Sequence, residues 1–537
     1  MLLLGALDRP VVATSANLSE EPLCTDDTEA RQRLAGIADL FLGHNRAIAR
    51  PVDDSVVRLA SDARPILLRR ARGYAPAPLT LPAALPVGQV CDLPNSAEPP
   101  PDAVGAASRR DPPASVADRG INPLLQIPLP AVGSQTRPAF GPLLCVGAQM
   151  KNTIAVAAGD RLVLSPHLGD LENAATRRAF ERTIETLSAL HGSRFAAVAC
   201  DKHPDYSSTH FAEKTGLPRI AVQHHLAHVL ACLLEHGHPA DGVLGIAWDG
   251  TGYGEDGTVW GGEFILLEKN RAFRFARLRR FRLPGGEAAV RDARRVALGL
   301  AHELGPDAFA ATAARLGFSD HETATLATML ARGLNSPVCS SGGRLFDAVG
   351  ALLGLGCRNS FEGQTPLAVE AAASMAARTG AALPFPVRAA TDGARCEIDW
   401  APAFERLSEF AGRARRPRRA ANEFGSPGLS AKALATAEGF ALPAELAPAT
   451  ADNPAELAAA FHRGLADAMV AVARRAGAGT VALTGGCFQN ALLHDLASTQ
   501  LTAAGFRVLT HRELPPNDGS IAAGQALGAL WNLTTVE

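Results

Sequence analysis

No Cys-x-x-Cys pair occurs among the nine cysteines of this 537-residue chain, which argues against both a zinc ribbon and a disulfide framework. An odd number of thiols scattered from Cys24 to Cys487 predicts instead a protein kept in a reducing cytoplasm. An excess of charge is missing too. With 52 basic and 54 acidic residues the net charge is −2, so nothing in the composition predicts binding to nucleic acid or to an anionic membrane. No apolar run reaches the roughly 20 residues a membrane-spanning helix needs. The apolar start Met1–Leu7 is closed by Asp8, Arg9 and Pro10 before it attains signal-peptide length, and no basic segment precedes it. What the chain does have is 47% hydrophobic and 20% charged residues, the balance of a soluble globular protein, over a length that calls for two or three domains.

Those domains are unequal. Residues 1–80 predict a compact α/β piece in which Val11-Val12-Ala13 reads as a buried strand whose sheet neighbours are expected upstream of Met1. Residues 81–140, rich in Pro, Ala and Ser (Glu98-Pro99-Pro100-Pro101, Asp111-Pro112-Pro113), have too little apolar surface to order themselves and predict a linker. Order returns over 141–537, with strands expected at Leu143–Val146, Thr153–Ala158 and Arg161–Leu164. An Arg/Pro-rich stretch near 412–430 predicts a surface insertion.

Chemistry concentrates in the large region. In Gln223-His224-His225-Leu226-Ala227-His228, His224 and His228 stand four residues apart, which on a helix puts both imidazoles on one face and lets them grip one divalent metal. Taken alone, such a pair is more often packing than ligation. The best third ligand is Asp518, in Asn517-Asp518-Gly519-Ser520. Three glycine-bearing turns join apolar strands. Gly147 to Asn152 carries Lys151 and offers backbone N–H groups to an anion. Asp249-Gly250-Thr251-Gly252 lets the backbone approach a ligand, with Asp249 at the expected strand end able to hold a metal or its water. Gly485-Gly486 leads through Asn490 into a helix whose N-terminus favours phosphate. Hairpin glycines often serve turn geometry only, yet three such turns around a His pair point to a metal beside nucleotide phosphates, and so to group transfer. Cys487, in the third turn, is a conceivable nucleophile, although a simply buried thiol is the commoner reading.

These segments resemble, in order, the TsaD-like branch of the actin/Hsp70/sugar-kinase superfamily, and more narrowly the HypF family of carbamoyltransferases that mature [NiFe] hydrogenases. The resemblance rests on His203–Thr209, Gln223–His228, Gly343–Val349, Ser360-Phe361-Glu362-Gly363-Gln364, Gly485–Asn490 and Asn517–Gly519. Thr14–Ser19, His44–Arg46, Asp53–Arg58 and Leu68–Tyr74 are similar to the end of the family's YrdC-like adenylation domain. It implies an α/β fold: a partial YrdC-like piece, then a two-lobed actin/Hsp70-like domain of two βββαβα lobes that close on a nucleotide. It further implies carbamoyl transfer from carbamoyl-adenylate, made from carbamoyl phosphate and ATP, to the C-terminal cysteine of HypE for synthesis of cyanide ligands. Iron or zinc is implied at His224, His228 and Asp518, with Mg2+ able to accompany the nucleotide, and Lys151 beside them to stabilise negative charge. Ser15, Asn17, Arg69 and Arg70 are implied contacts of the adenylate, and Glu362 of the nucleotide. In the family an acylphosphatase-like domain, Cys-rich zinc modules and the first half of the YrdC-like domain are expected before the segment seen here, so this chain alone is not expected to make the adenylate. An O-carbamoyltransferase acting on a small molecule, and a remnant that binds nucleotide and partner without turnover, stay open.

Overall fold

The computed structural model describes residues 2–82, 141–413 and 453–536, apart from short gaps within those ranges. The linker expected at 81–140 falls almost wholly outside the described residues, as do Val12, Ala13 and the stretch 414–430.

Near the N-terminus, β1 (Val56–Leu59) and β2 (Pro65–Arg69) form an antiparallel hairpin in which Leu59 faces Pro65. β3 (Leu79–Thr80) then pairs with an edge of the next sheet, opposite Leu162 and Arg161. That sheet is built from β4 (Leu143–Cys145), β5 (Ala155–Ala158) and β6 (Arg161–Leu164) as an antiparallel meander, with β7 (Ala197–Asp201) and β8 (Arg219–Val222) added in parallel beside β4. Leu143-Leu144-Cys145 and Ala197–Asp201 are buried at every position, as strands covered on both faces must be.

After α1 (His224–Glu235) the pattern repeats on a larger scale. β9 (Val243–Tyr253), β10 (Val259–Glu268) and β11 (Arg271–Leu278) form a second antiparallel meander. The short strands β12 (Phe281–Arg282) and β13 (Val338–Cys339) flank it. Then come α2 (Gly342–Leu352), α3 (Gln364–Ser374), β14 (Val387–Ala389), β15 (Cys396–Ile398) and α4 (Pro454–Ala476). β16 (Thr480–Thr484) runs parallel to β9, α5 (Ala491–Ala503) follows, β17 (Arg507–Thr510) lies parallel to β16, and α6 (Ile521–Trp531) returns. The strand orders β6-β5-β4-β7-β8 and β11-β10-β9-β16-β17 are the same order twice. This is the duplicated, two-lobed actin/Hsp70-like α/β architecture expected from the sequence.

α1 is the internal rod of the molecule, with every residue from His224 to Leu234 buried. Leu226, Val229, Leu230 and Leu233 pack with Ala523, Ala526 and Leu527 of α6. Burying one leucine side chain is worth about 1.5–3 kcal/mol, so this seam fixes where the histidine end of α1 sits. The two helices cross so closely that a Cβ at Gly524 would lie 1.8 Å from the Ala227 carbonyl oxygen. Gln223 caps the rod: its Oε1 accepts from the Leu226 N–H at 2.9 Å, and its Nε2 donates to the Tyr253 carbonyl at 2.9 Å.

β9 corrects one expectation. The turn read at Asp249–Gly252 is strand, because Gly252 and Tyr253 pair with Trp260 and Val259. The reversal comes later, where the Gly254 N–H meets the Thr258 carbonyl at 2.9 Å. Asp249 thus projects from mid-strand rather than from a strand end.

Replacing Gly524 by Val forces α6 away from α1 and should destabilise the protein by about 3 kcal/mol, as overpacking does. A thermal or urea melt reads this directly, and an unchanged transition would contradict the close crossing.

Candidate metal centre between the lobes

His224 and His228 stand one helical turn apart on α1, with ring centroids 5.0 Å apart and no exposure. Two carboxylates approach from other segments: Asp249 of β9, and Asp518 of the short turn Asp518–Ser520 that leads into α6. Asp249 Oδ2 lies 3.2 Å from His228 Nε2 and 3.5 Å from His224 Nε2. Asp518 Oδ1 lies 3.6 Å from both Nε2 atoms. All four donor atoms fall within 4.8 Å of one another. Behind them, Asp201 at the end of β7 takes His224 Nδ1 at 2.8 Å and the His203 N–H at 2.9 Å. With Nδ1–H committed to Asp201, the lone pair of His224 is on Nε2, facing the two carboxylates.

Four ionisable groups enclosed together need a counter-charge. Burial opposes the charged form of His224, but the Asp201 and Asp518 carboxylates outweigh it and hold the imidazole well above its ordinary pKa. Burial acts the same way on His228, and hydrogen bonding to Asp249 and Asp518 raises it. Burial likewise pushes the Asp249 and Asp518 carboxyls up; the two imidazoles override it, leaving Asp249 well below and Asp518 below the usual carboxylate range. Protons on the imidazoles satisfy this arrangement only partly, since His224 Nε2 is fully buried and has no hydrogen-bond partner. A divalent cation fits better. Two neutral imidazole nitrogens and two carboxylate oxygens are a donor set for zinc or iron, and a carboxylate behind one imidazole is the usual second support.

The remaining sequence candidates fall into three groups. Gly485 and Gly486 serve the metal cluster sterically: a Cβ on Gly485 would lie 2.2 Å from the Trp248 carbonyl, and one on Gly486 2.5 Å from Asp249 Oδ1, which the Gly486 N–H approaches at 3.0 Å. Gly252 leaves room for His224 and His225, while Gly250 lies against Gly343 and Arg344. Lys151, held at φ 46°, pairs with Glu362 and so ties the β4–β5 loop of the first lobe to the segment before α3 in the second. Burial disfavours its ammonium, but Glu362 and Asp518 hold its pKa above the ordinary value.

A second group has donors already engaged. The Gly147 N–H donates to Gln525 Oε1 at 2.9 Å, the Asn152 N–H to the Gly169 carbonyl at 2.9 Å, and the Asn152 side chain to the Val146 and Ala148 carbonyls. The N-terminus of α5, expected to favour phosphate, gives the Ala491 and Leu492 N–H groups to Glu370 at 2.8 and 3.4 Å. Asn490 caps α5 through Leu493 and donates to His462 Nε2 at 2.9 Å. The third group lies in the N-terminal piece. Asn17 closes its own loop onto Leu18 and Glu21, its N–H reaching the Ser15 carbonyl at 3.1 Å. Arg69 is 3.9 Å from Asp53, and Arg70 is buried and donates to the Ala77 carbonyl.

Three family models cover most of the chain: "Carbamoyltransferase, Kae1-like Domain, second subdomain" over residues 245–437 and 442–525, "HypF Kae1-like domain" over 139–235, and the Sua5/YciO/YrdC model described as telomere recombination over 1–71. This chain belongs to the HypF carbamoyltransferase family. It is similar to a carbamoyltransferase HypF of Synechocystis, 35% identical across 98% of this chain and 58% of that protein. A HypF homolog of Cupriavidus necator is 35% identical across 73% of this chain and 93% of that protein. Among solved structures, full-length HypF in its phosphate- and nucleotide-bound form aligns with TM-score 0.75 and 30% identity, over 98% of this chain and 57% of that one. The chain thus spans a little over half the length of the first relatives it matches.

Two features of this HypF-family site escaped the sequence reading. Asp201 follows a fully buried strand in the pattern Cys200-Asp201-Lys202-His203, and a lone acid at a buried strand end was the signal available. Arg344, 4% exposed, points Nη2 to Asp347 Oδ2 at 3.1 Å within a segment that carried the resemblance without an assigned role.

Burial, with the charge of Asp249, raises the Cys487 thiol well above its ordinary pKa, so it stays protonated and unreactive. Iodoacetamide at pH 8 should leave Cys487 unmodified in the native protein by peptide mass mapping, and Cys487→Ala should fold normally. Burial lowers His462 to about 4, and its neutral form receives Asn490 at Nε2 while its Nδ1–H meets the Ala458 carbonyl at 2.7 Å. The unfolded chain therefore binds a proton that the folded one refuses between about pH 6.5 and 4, and stability falls as pH drops through that window. A series of urea melts should show the fall, and His462→Gln should flatten part of it.

Proposed function

We propose that this chain transfers a carbamoyl group from carbamoyl-adenylate to the C-terminal cysteine thiolate of a HypE-like maturation protein, on the way to the cyanide ligands of [NiFe] hydrogenase. The observation that carries this reading is the enclosed His224–His228–Asp249–Asp518 cluster, in which one imidazole nitrogen lacks a hydrogen bond and faces two carboxylates at 3.5 and 3.6 Å. Family membership supports the transferred group, since the similar proteins are carbamoyltransferases. A relative that binds phosphate and nucleotide supports a nucleotide-linked donor.

In this reading residues 1–80 are the end of a YrdC-like adenylation domain, 81–140 a linker and 141–537 the TsaD-like transferase, working in the cytoplasm. Ser15, Asn17, Arg69 and Arg70 face the adenylate on the YrdC-like side, and Mg2+ accompanies ATP where ATP is bound. A divalent ion, iron or zinc, held by His224, His228 and Asp518 with Asp249 as a fourth donor, supplies Lewis acidity toward the carbamoyl oxygen or the departing phosphate. Asp201 keeps His224 in the Nδ1–H tautomer, so that Nε2 stays a donor. Lys151, cationic at any working pH, offsets negative charge on the phosphate that leaves. Glu362 holds Lys151 in place before the donor arrives. The thiolate sulfur adds to the carbamoyl carbon, a C–S bond forms, the C–O bond to phosphate breaks, and AMP departs with the electron pair. Cys487, protonated and half-buried, takes no part as a relay.

The test supplies synthetic carbamoyl-adenylate and the partner protein and looks by mass spectrometry for a carbamoyl adduct on the terminal cysteine. His224→Ala and Asp518→Ala should abolish the adduct while circular dichroism stays native. Asp201→Asn should lower metal affinity and transfer by roughly 10–100-fold. Normal adduct formation in both ligand variants would remove the mechanism.

A further inference from the structure

The β1–β2 hairpin of the N-terminal piece reaches both the turn that hydrogen-bonds Asp249 and the turn that carries Asp518. On β1, Arg58 places Nη2 2.6 Å and Nη1 2.7 Å from the two oxygens of Glu370, a bidentate pair. Glu370, 3% exposed, lies on α3 and also caps α5 through the Ala491 and Leu492 N–H groups. Arg58 Nη1 further reaches the Gln489 carbonyl at 3.3 Å. Gln489 closes the turn Gly486–Gln489, whose first N–H is the one bound to Asp249. On β2, the Leu68 carbonyl accepts from Asn517 Nδ2 at 2.9 Å, and the same amide nitrogen donates to Gln489 Oε1 at 2.8 Å. Asn517 immediately precedes Asp518 and caps its turn through the Gly519 N–H at 3.0 Å. At the hairpin tip, the Ser61 N–H meets Asp495 of α5 at 3.0 Å.

Ala60, Ile66 and Leu67 of the hairpin are buried, and beside them a cavity of about 200 Å³ lined by Arg58, Ser61, Glu370 and Asp495 opens where the hairpin meets α3 and α5. The polar tethers bridge it. They converge on two points, the turn that holds Asp249 and the residue before Asp518, while the histidine ligands are fixed independently by the α1–α6 seam. We infer that the hairpin is a positioning strut, in which Arg58 acting through Glu370 and Gln489, and the Leu68 carbonyl acting through Asn517, hold the two carboxylate ligands in register with the two imidazoles. The metal centre of the transferase is then conditional on the docking of the adenylation piece. This rests on the metal reading proposed above and adds residues to it that touch neither ion nor substrate.

The test uses the full chain and two readouts. Co2+ titration followed by visible absorption gives metal affinity, and hydrogen–deuterium exchange reports the segments 484–493 and 514–521. Arg58→Met should weaken Co2+ binding by roughly 10–100-fold, the range seen when supports of metal ligands are removed, and should speed exchange in both segments while leaving His224–Glu235 protected. Arg58→Lys keeps the charge without the fork and should show a smaller loss in both; it carries the test if the Met variant does not fold. Native affinity and native exchange in a folded Arg58 variant would overturn the strut. Should the unmodified chain bind no Co2+, the metal reading fails by itself, and the exchange data still decide whether the hairpin holds the two loops.

Discussion

Two imidazoles and two carboxylates held within 4.8 Å of one another, shut away from solvent, form the constraint around which the rest of this protein is arranged. Left to themselves such groups would take up water, or shift their protonation until the charges disappear. They remain together because each comes from an element that cannot relax. The histidines sit on a helix buried from His224 to Leu234, Asp249 follows Ala247, which is paired on both sides within the second sheet, and Asp518 sits in the short turn that leads into α6. The glycines around them follow from the same constraint. Gly252, Gly485 and Gly486 are sites where any side chain would collide with an imidazole, a backbone carbonyl or the Asp249 carboxylate.

How much of this could be read from the sequence depended on whether the signal was local. The His224–His228 pair was legible because helical spacing alone puts both rings on one face, and the two βββαβα halves were legible because their segments occur in the family's order. Asp249 was singled out, but as a group at a strand end beside a turn. Its place in the cluster depends on β9 continuing to Tyr253, which is decided by pairing with β10 and not by the glycines that suggested a turn. Asp201 carried almost no signal, since an aspartate after an apolar strand has many uses, and only the fold brings it behind His224. The donors of Gly147, Asn152 and the α5 N-terminus read as free because a sequence shows which residues can donate and not what already accepts from them.

The two lobes meet at the cluster, and the duplicated architecture explains why. In each half the parallel strand beside the first meander strand ends near the cleft: β7 delivers Asp201, and β16 delivers the Gly485–Gly486 turn. α1 links the halves and belongs to the cores of both, so a ligand pair on its first turn lies where the two sheets' strand ends converge. Lys151 and Glu362 close the same cleft from its rim, one from each half. The four donors thus come from α1, from β9 of the second sheet and from the turn before α6.

Asp201, Asp249 and Asp518 carry three formal negative charges around two imidazoles, and Lys151, its pKa raised by Glu362 and then by Asp518, is the cation at the rim. Glu362 adds a fourth carboxylate at the rim, so with both imidazoles neutral a divalent ion and Lys151 together would still leave one negative charge in excess. Without the lysine charge that excess would grow to two, so on electrostatic grounds Lys151 belongs with the four groups of the cluster.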